Sequence, residues 1–157
     1  MRLTTRQDIE APLDFVYAQM ADFAQFERMA MRRGAEVERS DKLEQDGPGM
    51  GWRVKFPFRG KTRKLNLRLA DAQPGSFLAY GVEGQAISGD ARVELMALSP
   101  RRTRLTIAGD VRPKTLAARL LLQSMRLARG RVQKRIDGAA GKLAALIEDR
   151  FRNPDQH

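Results

Sequence analysis

The chain has 157 residues, of which 42% are hydrophobic and 31% charged, the composition of a folded protein long enough to bury a core. It contains no cysteine, so disulfides, thiol catalysis and thiolate metal sites are excluded. Its net charge of +10 favours anionic partners, although charged runs often serve only to keep a surface solvated. Because no apolar segment is long enough for a secretion signal or a membrane span, we expect a cytoplasmic protein with one domain over residues 1–157.

The first part of the chain predicts a strand followed by two short helices. Residues 2–10 alternate in a way that indicates a strand. Pro12 is predicted to occupy the first helical position, and phenylalanines and methionines then recur at helical spacing. We expect Asp22 to cap the second helix and Gly34 to end it in the left-handed conformation.

From residue 35 onwards the apolar residues alternate, which predicts strands. A short strand at 35–39 is followed by longer strands with turns at 45–49, Gly60, Pro74-Gly75, Gly84 and 99–102. Strands that are apolar on one side and joined in succession form an antiparallel meander. The sequence therefore predicts one curved antiparallel sheet.

Residues 113–151 are predicted to form a single long helix, with Pro113 near its first turn and Pro154 just beyond its end. Its apolar residues fall on one stripe, which consists of Leu121, Met125, Ala128, Val132, Ile136, Ala139, Leu143, Leu146 and Ile147. Such a stripe indicates a helix lying lengthwise on an apolar surface, with Gly130 as a place where it can bend. We therefore predict an α+β fold in which a sheet of about seven strands wraps around this terminal helix.

Four short segments carry a family resemblance. They are Ile9-Glu10-Ala11-Pro12 with Phe15-Val16-Tyr17 and Asp22, Gly49-Met50-Gly51-Trp52, Pro74-Gly75-Ser76-Phe77-Leu78, and Leu98-Ser99-Pro100 with Thr103-Arg104-Leu105-Thr106. In this order, and with the predicted elements, they resemble the START-like superfamily, SRPBCC, which includes polyketide cyclase/dehydratase-like and lipid-transfer proteins. The resemblance implies the helix-grip fold with a ligand cavity between sheet and terminal helix. It implies no particular reaction, because the superfamily has no universal catalytic residue.

The inner face of the predicted sheet is the best candidate for a site. By alternation it carries Trp52, Val54, Phe56, Phe58, Leu65, Leu67, Leu69, Leu78, Tyr80, Val82, Val93 and Leu95. Together with Leu121 and Met125 these residues form either a filled core or the lining of an apolar cavity for a hydrophobic or amphipathic ligand. Small residues at inward positions favour the cavity; they are Gly89, Ala91, Ala97 and Gly109. Trp52 and Tyr80 carry polar groups that can orient a ligand.

Catalytic constellations are sparse. The one histidine is His157, so neither a Ser-His-Asp triad nor a histidine metal site has its partners. No phosphate-binding glycine motif lies between a strand and a helix, so no cofactor is expected. Tyr80 is the leading candidate acid, although its hydroxyl can equally belong to the core. Alternation assigns four carboxylates to the outer face: Glu83, Asp90, Glu94 and Asp110.

Two basic surfaces offer alternative functions. The outer face of the sheet carries Arg53, Lys55, Arg59, Lys64 and Arg68, a set that can bind RNA, the ribosome or an anionic membrane. At the start of the terminal helix, three leucines lie nearly opposite the stripe and beside several cations: Leu116, Leu120 and Leu127, with Leu122 on the flank. This patch can dock on an anionic membrane or a partner, but we expect it to contact the loops near Gly60 and Gly84 or to form a homodimer. Both a monomer and a homodimer are compatible with these surfaces.

Overall fold

A computed structural model describes residues 1–156, so His157 lies outside the described residues. Its strands are β1 (Arg2–Ile9), β2 (Glu36–Arg39), β3 (Gly51–Phe58), β4 (Lys61–Gln73), β5 (Phe77–Gly84), β6 (Ile87–Ser99) and β7 (Arg102–Pro113). Two helices, α1 (Leu13–Met20) and α2 (Phe23–Arg32), join β1 to β2. The helices α3 (Leu116–Leu127) and α4 (Arg129–Arg152) and the 3-10 turn Pro154–Gln156 follow β7. The strands form one antiparallel sheet in the order β1-β7-β6-β5-β4-β3-β2, which confirms the predicted meander.

Local signals in the sequence fix the turns and the helix ends. Arg59 (φ 52°) and Gly60 (φ 77°) both adopt left-handed conformations, as a two-residue turn between twisted strands requires. The Asp22 side chain caps α2 by accepting a hydrogen bond from the backbone N–H of Gln25 at 3.2 Å. Gly34 follows α2 with φ 93°, as predicted. Pro12 is the residue before α1 rather than its first helical residue.

The sheet has two register irregularities. One lies between Leu69 and Asp71 in β4, where Ala70 is the additional residue, and the other between Ala97 and Ser99 in β6. Bulges of this kind bend a strand and increase its local twist, which helps the sheet to curve towards the helices.

The terminal segment consists of two helices, so the prediction of one helix over 113–151 is wrong. Pro113 ends β7 opposite Ile87. Thr115 then caps α3, because its hydroxyl accepts a hydrogen bond from the N–H of Ala118 at 3.1 Å. The helix breaks at Ala128 (φ −104°, ψ 27°), slightly before the expected bend at Gly130. The break separates α3, which packs against β7, from α4, which packs against β1.

The most buried face of these helices is not the predicted stripe. It consists of Ala118, Leu122, Ala140, Ala144 and Ile147, so only Ile147 belongs to both sets and Leu122 is buried rather than flanking. On a helix these residues centre roughly 80° away from the stripe. The small Ala140 and Ala144 suit a close approach of α4 to β1, where the Thr5 hydroxyl donates to Asp137 at 2.7 Å. Most of the stripe is partly buried, and Ala139 is exposed.

The fully packed core lies towards one end of the interior, beneath α1 and α2. We call this region the closed end; it contains Ile9, Ala11, Val16, Met20, Phe23, Met50, Trp52, Leu69, Leu78, Val93, Leu95, Leu105, Ala144 and Ile147. Towards the β3–β4 and β5–β6 turns the inner face is less covered. We call this second region the open end; it contains Val54, Phe56, Leu65, Leu67, Tyr80 and Val82, all of which are partly exposed.

Candidate functional site

The register of the sheet brings the predicted inner-face residues together. Trp52 lies opposite Leu67, and Val54 lies opposite Leu65. On the next strands, Tyr80 lies opposite both Leu69 and Ala91. Directly opposed residues in an antiparallel sheet share a face, so these side chains point towards the helices from neighbouring strands.

The predicted binding residues divide between the two ends. Trp52, Leu78 and Val93 are 6%, 1% and 7% exposed, respectively, and belong to the packed core at the closed end. Val54, Phe56, Leu67 and Tyr80 lie at the open end; Leu121 and Met125 of α3 are also partly exposed. Phe58 ends β3 at the turn and is 43% exposed, so it lies at the rim. The interior is therefore filled on one side and incompletely covered on the other.

The small residues predicted at inward positions are small for different reasons. A Cβ at Gly89 would lie 2.4 Å from the carbonyl oxygen of Asp110, so glycine is required there by the close approach of β7. Ala97 is exposed near the β6–β7 turn and does not border the interior. Ala91 and Gly109 are opposed in register and partly buried, so they are the small residues that lie next to Tyr80 on the inner face.

Tyr80 has the clearest polar group at the open end. Burial, with a smaller contribution from nearby Tyr17, raises the pKa of Tyr80 to about 12. Burial also raises the pKa of Tyr17, which belongs to α1. Among residues 1–156 neither phenol hydroxyl makes a hydrogen bond to protein. At neutral pH both phenols are protonated and able to donate to a polar group of a ligand.

Trp52 is a core anchor and not the polar handle that the sequence suggested. Its indole Nε1–H donates to the Glu27 carboxylate at 2.7 Å. Its ring lies 5.6 Å from that of Phe23 and 5.7 Å from the Arg39 guanidinium carbon. Sequence analysis missed Glu27, although its spacing of four residues from Phe23 places both on one side of α2.

The four predicted outer carboxylates point away from the interior and form ion pairs. Glu83 contacts Lys114 at 2.6 Å, and Glu94 contacts Arg92 at 2.6 Å. Arg112 contacts both Asp90 (3.2 Å) and Asp110 (3.5 Å). A shallow groove of about 430 Å³ on the outer face of β1, β7 and β6 includes Asp90, Glu94 and Asp110 in its lining. These acids do not converge on the inner face.

Four of the predicted basic residues share the outer face of β3 and β4, and the fifth, Arg59, lies in the turn between these strands. The four are Arg53, Lys55, Lys64 and Arg68, and all five residues are exposed. Lys55 lies directly opposite Lys64, a pairing of like charges that disfavours the isolated sheet. Arg53 is 3.5 Å from Glu38 on the neighbouring edge strand, so one of the charges is partly balanced.

No group of three or more His, Cys, Asp or Glu side chains within residues 1–156 is arranged to hold a metal ion. None of the helices described is long and apolar enough to cross a membrane.

The sequence matches a family model described as polyketide cyclase / dehydrase and lipid transport over residues 1–148. The chain therefore belongs to this family, and its START-like resemblance is confirmed. A search of curated proteins gave no match.

Solved structures share the helix-grip fold over most of the chain. The ZhuI aromatase/cyclase from Streptomyces sp. R1128 aligns with a TM-score of 0.68 and 18% identity, covering 96% of this chain and 94% of that one. The Mll3558 protein from Rhizobium loti aligns with a TM-score of 0.63 and 22% identity, covering 92% and 95%. A START superfamily protein from Mycobacterium smegmatis aligns with a TM-score of 0.57 and 11% identity, covering 88% of this chain and 98% of that one. At these identities the similarity establishes the fold.

Proposed function

We propose that this protein binds a small hydrophobic or amphipathic ligand at the open end, between the sheet and the terminal helices. Its role would be transport or sequestration by a single cytoplasmic domain. The observation that carries the proposal is the partial exposure of Val54, Phe56 and Leu67 on an inner face whose other half is packed. Burying their accessible surface contributes about 25 cal/mol per Å². The family description, which includes lipid transport, supports this ligand class.

Polar groups favour an amphipathic ligand. Tyr80 supplies a phenol without a protein partner among residues 1–156, so a carbonyl or hydroxyl of the ligand can accept its hydrogen bond. Arg59 lies at the rim beside Phe58, with its guanidinium carbon 5.6 Å from the ring centre. An anionic head group would therefore suit the rim and an apolar body the interior.

Native mass spectrometry with a panel of fatty acids, phospholipids and quinones tests the proposal. Ala91→Phe adds a ring on the inner face, whereas Ala108→Phe adds the same ring on the outer face next to the groove. We expect Ala91→Phe to reduce binding by about ten-fold or more, since it fills the space beside Tyr80, and Ala108→Phe to leave it unchanged. No bound species from the panel, or equal binding by both variants, would contradict the proposal.

A second candidate is a cyclase or dehydratase reaction that uses Tyr80 as a proton donor. The partly buried phenol of Tyr80, whose hydroxyl has no protein partner among residues 1–156, and the structural similarity to an aromatase/cyclase favour it. In an aldol condensation within a poly-β-ketone, an α-carbon would lose a proton to water and bond to a second carbonyl carbon, whose oxygen Tyr80 would protonate. The resulting hydroxyl would leave as water with the loss of a second α-proton, which forms a carbon–carbon double bond, and the phenolate would regain its proton from solvent. Mass spectrometry of the products tests this, and a Tyr80→Phe variant with the full rate would exclude the role of the phenol.

A third candidate is binding of RNA or the ribosome by the outer face, favoured by the opposed Lys55 and Lys64. Bringing a polyanion to this pair would relieve their repulsion. Filter binding of single-stranded RNA over a salt series tests the candidate. Lys55→Gln with Lys64→Gln should lower affinity and flatten the salt dependence, and unchanged binding would exclude this surface.

A further inference from the structure

Helix α3 has an apolar stripe that faces away from the protein. Leu116, Leu120 and Leu127 are 69%, 56% and 92% exposed. At helical spacing they lie within about 40° of one another, on the side opposite the buried Ala118 and Leu122. We call these three residues the leucine stripe. Since the inward side of α3 is already occupied by Ala118 and Leu122, the leucine stripe is available for something outside this chain.

The charged residues that neighbour the leucine stripe along the chain are all cationic. Residues 114–135 contain seven lysines and arginines and no acidic residue. Lys114 is paired with Glu83 at 2.6 Å. The other six are exposed and make no ion pair with the described residues: Arg119, Arg126, Arg129, Arg131, Lys134 and Arg135. An occupant of this surface must therefore be apolar and anionic at once.

The break between α3 and α4 adds a cleft at the end of the leucine stripe. This cleft has a volume of about 410 Å³ and is lined by Met1, Arg2, Arg126 and Arg129. Arg126 and Arg129 flank Leu127 along the chain, and the helix changes direction between them at Ala128. A phosphate of a lipid head group can contact these guanidinium groups while Leu127 meets the acyl chains.

We propose that α3 docks in the plane of an anionic phospholipid surface, with the leucine stripe in the acyl boundary and Arg119, Arg126 and Arg129 at the head groups. The charges favour this occupant because a helix with leucines on one side and cations around them suits anionic lipid. A second copy of the chain would bring two cationic helices together, which disfavours a symmetric dimer through this face.

The docked orientation would also bring the open end towards the membrane. Lys114, just before α3, donates from Nζ to the carbonyl oxygen of Gly84 at 2.8 Å, so α3 begins beside the β5–β6 turn. Membrane docking does not depend on ligand binding at the open end. The two can therefore be tested separately on the same protein.

Co-sedimentation of the full chain with vesicles tests the docking. We expect binding to vesicles of phosphatidylcholine mixed with phosphatidylglycerol, and about ten-fold weaker binding to pure phosphatidylcholine. Changing all three leucines (Leu116→Ser, Leu120→Ser, Leu127→Ser) should weaken binding to the anionic vesicles by about ten-fold or more. The matched control Leu43→Ser with Leu98→Ser changes exposed leucines elsewhere and should bind like the wild type.

The absence of cysteine permits a second, direct measurement. A polarity-sensitive dye on Leu127→Cys should shift to the blue on anionic vesicles, whereas the same dye on Leu43→Cys should not. Equal binding by the triple variant, equal binding to neutral vesicles, or no shift at position 127 would overturn the proposal. So would a wild-type dimer in sedimentation equilibrium that the triple variant abolishes. Unchanged ligand binding by the triple variant in native mass spectrometry keeps this test separate from that of the proposed function.

Discussion

The two ends of the interior are built from the same strands but differ in what covers them. The closed end is covered by α1, α2 and the last turns of α4. There Leu69, Leu78 and Ile147 are 1% exposed or less. At the open end, Leu67 and Val82 face the same side of the sheet and remain partly exposed. The comparison teaches that alternation in a strand decides which way a side chain points, whereas the helices decide whether it becomes core or lining.

The largest expected effect is a difference in stability between alanine variants of Leu69 and Leu67, two residues whose side chains point to the same side of β4. Leu69→Ala should lower the free energy of unfolding by about 3 kcal/mol, because it leaves a cavity among fully packed neighbours. Leu67→Ala should cost less, about 1 kcal/mol, because Leu67 packs against the core but is already partly exposed to water. Urea unfolding of both variants measures the difference. Equal losses would mean that the interior is packed uniformly and would remove the open end.

Tyr80 lies at the boundary and gives a pH test. In the unfolded chain a tyrosine loses its proton near its ordinary pKa of 10.0, whereas in the folded protein the pKa of Tyr80 is about 12. Between these values the folded state holds a proton that the unfolded state has released, so stability falls as the pH rises. The Tyr80→Phe variant lacks this loss. Its free energy of unfolding should therefore rise by about 2 kcal/mol relative to that of the wild type across this range.

Chemical unfolding of the wild type and Tyr80→Phe at pH values on either side of 10 provides the measurement. Below this range the tyrosine is protonated in both states, and the two proteins should differ little because the hydroxyl has no protein partner among residues 1–156. Parallel stability curves up to the highest pH would show that Tyr80 is as solvated as in the unfolded chain.

The smallest expected effect concerns the anchor at the closed end. Glu27→Ala removes the acceptor of the Trp52 indole N–H and should cost about 1–2 kcal/mol, because the buried donor is left unpaired. Trp52 is the only tryptophan, so its fluorescence reports the change directly. Glu27→Gln keeps an acceptor and should recover most of the stability, and the exposed Glu44→Ala is the neutral control. No loss in Glu27→Ala would imply that water replaces the carboxylate without penalty.

The fold was predictable because its signals are local. Alternation over β3 to β7 assigns sides to the residues, and the Arg59-Gly60 and Asp22 signals fix a turn and a cap. Gly130 indicated a bend, but the break at Ala128 was not predictable from spacing, since it follows from two helices packing on two different strands. The most buried face of α4 was missed because Ala140 and Ala144 contribute little hydrophobicity, although their small size is what suits a close approach to β1.

The candidate site was predictable as a face but not as a shape. The sequence assigns Trp52 and Tyr80 to the inner side, and their partners come from distant segments. Glu27 accepts the hydrogen bond from the Trp52 indole, and Tyr17 lies near Tyr80. Whether a polar group is already paired depends on such tertiary contacts, which no spacing within a strand reveals. Gly89 is another example, because its need for glycine arises from the backbone of Asp110.

The position of β1 in the sheet has a consequence for synthesis. Among the described strands, β1 pairs only with β7, since Arg2 lies opposite Asp110 and Ile9 opposite Thr103. During translation β1 therefore waits without a neighbour until β7 has emerged, and closing so long a loop slows folding. A nascent or prematurely terminated chain that ends before β7 leaves β1 without a partner strand and exposes the edge of β6 that β7 would cover. Such edges recruit other strands, so incomplete products of this chain are expected to aggregate.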